Sequence, residues 1–235
     1  MYSSYFYYDS TYLLVLLGAL LSIIASATVN ATYAKYNKVM STSMITGAMA
    51  AERILRYAGI GDVSIEEISG QLSDHYDPRH KVLRLSSGVF NSTSIAAIGV
   101  AAHECGHAIQ DNKGYVPLKL RGALVPVANL GSKLGLPIVL IGLLLAHSYT
   151  LTMLGVWVFS IAVLFQIVTL PVEFNASGRA IRMLGDTGIL GDHELKGASS
   201  VLKAAALTYV AAAAASILQL LRLILLFGGG NRRRD

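Results

Sequence analysis

Charge is scarce in this chain: only 14% of its 235 residues are Asp, Glu, Lys or Arg, while 54% are apolar and mean hydropathy is +0.54. An ordinary soluble domain of this size does not need such a balance, so the composition points to membrane insertion. Cysteine is almost missing. The one present, Cys105, excludes a disulfide framework within the chain and agrees with a reducing compartment. A basic stripe interleaved with aromatics is also missing, which leaves the net charge of +5 as a signal of membrane topology and excludes nucleic acid as a partner. There is no internal repeat and no low-complexity linker.

What is present is apolar sequence in blocks: Leu13 to Val29, Leu134 to Ala146, Val156 to Leu170, and Leu207 to Phe227. The first and last approach or exceed the roughly 18 residues of a helical bilayer crossing. The middle two form one run from Leu134 to Leu170, broken only by "AHSYT", too long for a single crossing and suited to a helical hairpin. The opening "MYSSYFYYDS" has no Lys or Arg and carries Asp9, unlike the start of a signal peptide, so the first stretch is expected to be a retained anchor. Eleven Lys and Arg lie between Ala31 and Lys133, four between Pro171 and Ala206, and none from His147 to Thr150. That bias puts both polar segments in the cytoplasm, in a multi-pass protein of the cell membrane. The tail "NRRRD" lies on the far side in a four-crossing layout, against the same bias. Three Asn-x-Ser/Thr strings, at Asn30, Asn91 and Asn175, are then chance matches.

The resulting organisation is an anchor over 1–30, a cytoplasmic region over 31–133, a transmembrane hairpin over 134–170, cytoplasmic helices over 171–206, and a last crossing with a basic tail over 207–235. "KYNKVMSTSMITGAMAAERILRYAGI" reads as an amphipathic helix that Gly59 stops. "KVLRLS" alternates apolar and polar between the turn signals "DPRH" and "SSG", the mark of a short edge strand or hairpin. "NSTS" offers N-caps for a helix from Ile95 to about Gln110, which "DNKGY" ends. Pro117 to Lys133 suggests a surface helix before the hairpin. Pro171 marks a helix start, and "GDTGIL" separates that helix from one running into the last apolar stretch.

Inside the Ile95 helix lies "HECGH". Residues four apart share a helical face, so His103 and His107 can offer both imidazoles to one ion, and Glu104, about 100° round the helix, reaches a water beside it. Zinc suits such a set, because its catalytic sites combine three protein ligands with a water. Two histidines and a glutamate in an otherwise apolar helix would be costly to bury without partners. The third ligand comes from Asp111, His147, Glu173, Asp186, His193 or Glu194. Glu173 is the best of these: it lies one turn into a new helix among apolar neighbours, where a carboxylate needs a partner. His147 falls in the outside loop, and Asp111 is too close in sequence to turn back.

Together, "AAHECGHAIQ", "DHYDPRHKVLRLSSGVF", "LPVEFNASGRAIRML" and "VLKAAALTYVAAAAAS" resemble the membrane-bound neutral zinc metallopeptidases of bacteria, from about Thr42 to Ala215. The layout is more distantly similar to HtpX-type and CAAX prenyl proteases, which take a third zinc ligand from an "E-x-x-A-D" helix. Glu173, Ala176 and Ser177 occupy that pattern, with Ser in place of Asp. Gly178 stands where a second basic residue is usual. The resemblance implies a mainly α, polytopic membrane protein with a small zincin-like α+β catalytic region, Zn2+ on His103, His107 and Glu173, and Glu104 as general base in peptide hydrolysis.

An oxyanion donor or outer partner is sought among Ser177, Arg179, Arg182 and His193, and "KVLRLS" is a candidate edge for pairing with an extended substrate. His75, Asp77 and His80 read as solvated turn residues. The expected partners are a protein or peptide substrate, including membrane proteins, and the lipid bilayer; the sequence sets no oligomeric state. The competing reading is a catalytically silent zinc-binding membrane adaptor or sensor, which an intact Glu104 disfavours.

Overall fold

A computed structural model describes residues 9–70 and 73–228, so the tyrosine-rich start and the "NRRRD" tail lie outside the described residues. The elements run α1 (Tyr12–Tyr36), α2 (Gly47–Tyr57), β1 (Ser64–Ile68), β2 (His75–Asp77), β3 (Val82–Ser86), α3 (Ser87–Phe90), α4 (Ile95–Asn112), α5 (Val116–Leu144), α6 (Tyr149–Asp186) and α7 (Asp192–Phe227). The protein is mainly α-helical with one small sheet. Four helices, α1, α5, α6 and α7, are long and apolar enough to cross a membrane.

Two compact units divide the chain. The first comprises Met1–Ile24, Leu124–Ile167 and Val210–Asp235. Its core is Val139, Val156, Phe159, Val163 and Leu223, and much of its apolar surface is uncovered, with Leu16, Leu145 and Trp157 among the exposed side chains. An apolar exterior of this kind is matched by lipid rather than by water. Helices α5 and α6 approach through small residues, for a Cβ on Gly135 would stand 2.8 Å from that of Phe159. Arg222 is paired with Asp9 at 3.1 Å and stacked on Tyr12.

The second unit comprises Ala25–Ala123 and Val168–Tyr209. Its core gathers Ile54 and Leu55 of α2, Leu83 and Leu85 of β3, Leu184 of α6 and Leu202 of α7 around α4, whose Ala97, Ile98, Ala101 and Cys105 have no exposed surface.

Several elements differ from the sequence expectation. The amphipathic helix begins only at Gly47, because Thr46 caps it by accepting from the Met49 N–H, and the residues before it form turns. The sheet has the order β1-β3-β2, so "KVLRLS" supplies the central strand, not an edge. It pairs parallel with β1 and antiparallel with β2, and four of its five residues are buried. The charged, Ser-rich β1 and the three-residue β2 carry too little apolar periodicity to be read as strands. Helix α5 joins the expected surface helix to the first arm of the hairpin, since nothing at 133–134 stops a helix. Pro171 lies inside α6 and does not start a helix. Its missing N–H frees one carbonyl a turn earlier, a loss that membrane helices tolerate when neighbouring groups compensate.

The "DPRH" turn between β2 and β3 is built on Asp77, which accepts from the Arg79 N–H at 3.0 Å and from Arg84 at 3.1 Å. Hydrogen bonding from the His80 ring, then from Arg84, holds the Asp77 carboxyl well below the usual carboxylate range. Asp77 and His80 thus serve the turn, while His75 lies in β2.

Candidate metal centre

Helix α4 starts where Ser94 accepts the Ala97 N–H at 3.1 Å and ends before Gly114, whose φ of +63° suits glycine. Its burial is nearly complete, so His103, Glu104 and His107 project into a packed interior and each needs a partner. Among the described residues no buried side-chain nitrogen or oxygen lacks one. The partner element is α6. A Cβ on Gly106 would overlap the Ala176 carbonyl group, so only glycine there lets the two backbones approach this closely.

The approach carries Glu173, almost fully buried, to the two histidines. His103 Nε2 lies 3.2 Å from Glu173 Oε2, and His107 Nε2 lies 3.7 Å from the same oxygen. The rings meet edge to face, with centroids 4.8 Å apart. Three ligand atoms each about 2.0–2.1 Å from a tetrahedral ion stand roughly 3.3 Å from one another, close to the spacings found here. The set His103, His107 and Glu173, with ligand atoms all within 4.8 Å of one another, could hold a metal ion.

The outer atoms of the same side chains are already engaged. His103 Nδ1 meets Ser177 Oγ at 3.1 Å. Gln110 donates its amide to Val172 O at 2.8 Å and Asn175 Oδ1 at 3.0 Å, which leaves Gln110 Oε1 as the acceptor facing His107 Nδ1 at 3.0 Å. The His107 ring therefore donates through Nδ1, and its neutral form turns the Nε2 lone pair toward Glu173. Lone pair faces carboxylate, an arrangement that a shared cation resolves. Burial alone would depress the His107 imidazole, but a hydrogen bond accepted by the Glu173 carboxylate and the charges of Glu104 and Glu173 bring it above its ordinary value, which shows that this spot favours positive charge. This donor set, two imidazoles and a carboxylate with their outer atoms held, fits zinc. Arg121 of α5 holds the other carboxylate oxygen, Nη1 to Oε1 at 3.2 Å.

Glu104 is placed differently. Its Oε2 accepts the Tyr76 N–H of β2 at 3.1 Å, so the outer edge of the sheet lies against it. With His103, Glu173, Ser177, Asp74 and Tyr209 it lines a cavity of about 190 Å³. Neighbouring Cys105 is fully buried, and burial pushes its thiol far up, so it is an inert core residue.

Of the other sequence candidates, only Ser177 joins the histidines. Arg179 is tied to Asn175 at 2.7 Å and lies over Tyr115, while Arg182 and His193 are exposed. None of these three lines the cavity. Asp111 accepts from Tyr76 Oη and Lys81 Nζ, and Glu194 accepts the Thr42 and Gly191 N–H groups, so both are spent on structure. Asp186 is exposed and His147 sits in the α5–α6 turn. Sequence reasoning missed Gln110, Arg121 and Tyr209. Gln110 carried a readable signal, being one turn after His107 in an apolar helix; the other two sit on elements remote in sequence.

Comparison with known proteins identifies the family. No solved structure matches the chain. The relative described as "Putative membrane protease YugP", from Bacillus subtilis (strain 168), is 47% identical over 191 residues, which cover 81% of this chain and 84% of that protein. A family profile described as "Putative neutral zinc metallopeptidase" matches residues 11–228, nearly the full length, and the chain belongs to that family of membrane proteins.

Proposed function

We propose that the protein is an integral-membrane zinc metallopeptidase that hydrolyses peptide bonds with Glu104 as general base. The observation that carries this reading is the convergence of His103 Nε2, His107 Nε2 and Glu173 Oε2 beside a cavity that Glu104 also lines. His103, His107 and Glu173 would hold the metal. Bound zinc there supplies Lewis acidity and lowers the pKa of its water toward neutrality.

The protein's own groups do the rest. Glu104, steadied by the Tyr76 N–H, takes a proton from the attacking water as the new C–O bond forms, and returns it to the amine as the C–N bond breaks. Tyr209, which lines the same cavity as Glu104 and Glu173, is the donor we assign to the developing oxyanion, in place of Arg179, Arg182 and His193. An extended substrate pairs with β2, the edge strand beside Glu104, since β3 is enclosed on both sides. The Lys and Arg bias supports a cytoplasmic position for this region, on a multi-pass anchor.

Proteolysis of casein and of membrane-derived peptides by the purified protein is the test. Cleavage lost on chelation and restored by zinc supports the reading; cleavage indifferent to chelation refutes it. A second expectation concerns Gln110. In the Gln110→Ala variant the His107 ring loses the acceptor that fixes its tautomer, and zinc affinity falls about 10- to 100-fold with secondary structure unchanged. Competition titration against a fluorescent chelator measures it, and an unchanged affinity would remove Gln110 from the site.

A further inference from the structure

A second cavity, about 560 Å³ in volume, lies between α6 and α7 within the same unit. It shares Ser177, Leu202 and Ala206 with the catalytic cavity, so the two are neighbours through a common wall. Ile181 and Leu207 make its surface apolar, and the one charged residue lining it, Lys203, is exposed. The catalytic cavity itself, at about 190 Å³, is much the smaller. A peptide bond held beside Glu104 must place the side chains next to it somewhere, and this cavity is an adjoining space with room for one.

We infer that the cavity between α6 and α7 is a specificity subsite that receives a large apolar side chain, such as Leu or Phe, of a residue flanking the scissile bond. This rests on the peptidase reading above. Its occupant is a side chain of the substrate, because the cavity adjoins the site across Ser177, the residue that also bonds His103. A lipid acyl chain is the competing occupant, and the experiment separates the two.

Gly178 provides the test. It lines the cavity, and a Cβ added there meets nothing within 4 Å, so a larger residue grows into open space. A leucine in a helix interior is also more favourable than glycine. Quenched fluorescent peptides differing only in Leu, Phe or Ala on either side of the cleaved bond are compared with wild type and Gly178→Leu, and Ser199→Leu fills the cavity from α7 as an independent variant. Wild type is expected to prefer Leu or Phe to Ala by about tenfold or more in kcat/KM, and the filled variants to bring that ratio near unity with zinc content unchanged. A ratio that the filled variants leave unaltered overturns the subsite.

Binding by the zinc-loaded Glu104→Gln protein, read by fluorescence anisotropy with the same peptides, separates this failure from failure of the peptidase reading. Apolar-selective binding that Gly178→Leu abolishes keeps the subsite even where no peptide is cleaved, and binding without that selectivity overturns it. A lipid that co-purifies with wild type and is absent from Gly178→Leu in native mass spectrometry, with peptide selectivity unmoved, assigns the cavity to the bilayer and likewise overturns the proposal.

Discussion

Replacing Glu104 by Gln is expected to reduce peptide cleavage by about 10²- to 10⁴-fold while one zinc stays bound. The substitution keeps the size of the side chain and an oxygen able to accept the Tyr76 N–H, so β2 retains its contact with α4. What it removes is the capacity to take a proton from water and return it to a leaving amine. Because the Glu104 side chain is not in the set of converging ligand atoms, metal content should be indifferent to the change. Purified wild type and variant, assayed on casein alongside metal analysis, measure both quantities at once. Equal cleavage by the two proteins would refute the general-base role. Zinc retained with no turnover in either would favour the adaptor reading, in which the site only holds metal.

The second large effect is expected at Glu173. Removing its carboxylate in Glu173→Ala leaves two imidazoles, one fewer than the three protein ligands of a catalytic zinc site. Zinc affinity should fall by more than the roughly 10- to 100-fold that loss of an outer partner costs. The deletion also strands Arg121, whose guanidinium now pairs with Oε1, so some stability is lost with the metal. Glu173→Gln separates the two effects, since it preserves the side chain's volume while removing the charge. Loss of zinc in His103→Ala but not in either Glu173 variant would identify a different third ligand.

How much of this was readable without coordinates depended on the kind of signal. The α4 helix and its two histidines were legible because helical periodicity fixes what lies four residues apart, and because Ser94 and Gly114 mark its ends. Glu173 was legible as a carboxylate among apolar neighbours that needed a partner. The sheet was not, since β1 reads "SIEEI" and β2 is only three residues long. Their positions follow from pairing with β3, a relation between segments that no local pattern records, and the error of taking β3 for an edge followed from it. Pro171 misled for a related reason: a local preference for a helix start does not record that α6 is already running through it. Tyr209 joins the cavity from α7 and Arg121 reaches Glu173 from α5, so only the tertiary arrangement could name them.

The central claim is that His103, His107 and Glu173 surround one zinc ion with a position left for water. X-ray absorption at the zinc edge of the purified protein tests it most directly. The account predicts four nitrogen or oxygen neighbours at about 2.0–2.2 Å, with multiple scattering from two imidazoles. In the Glu173→Gln variant the signal should diminish with the bound zinc. A sulfur neighbour near 2.3 Å, or an unchanged spectrum and full zinc occupancy in that variant, would contradict the account.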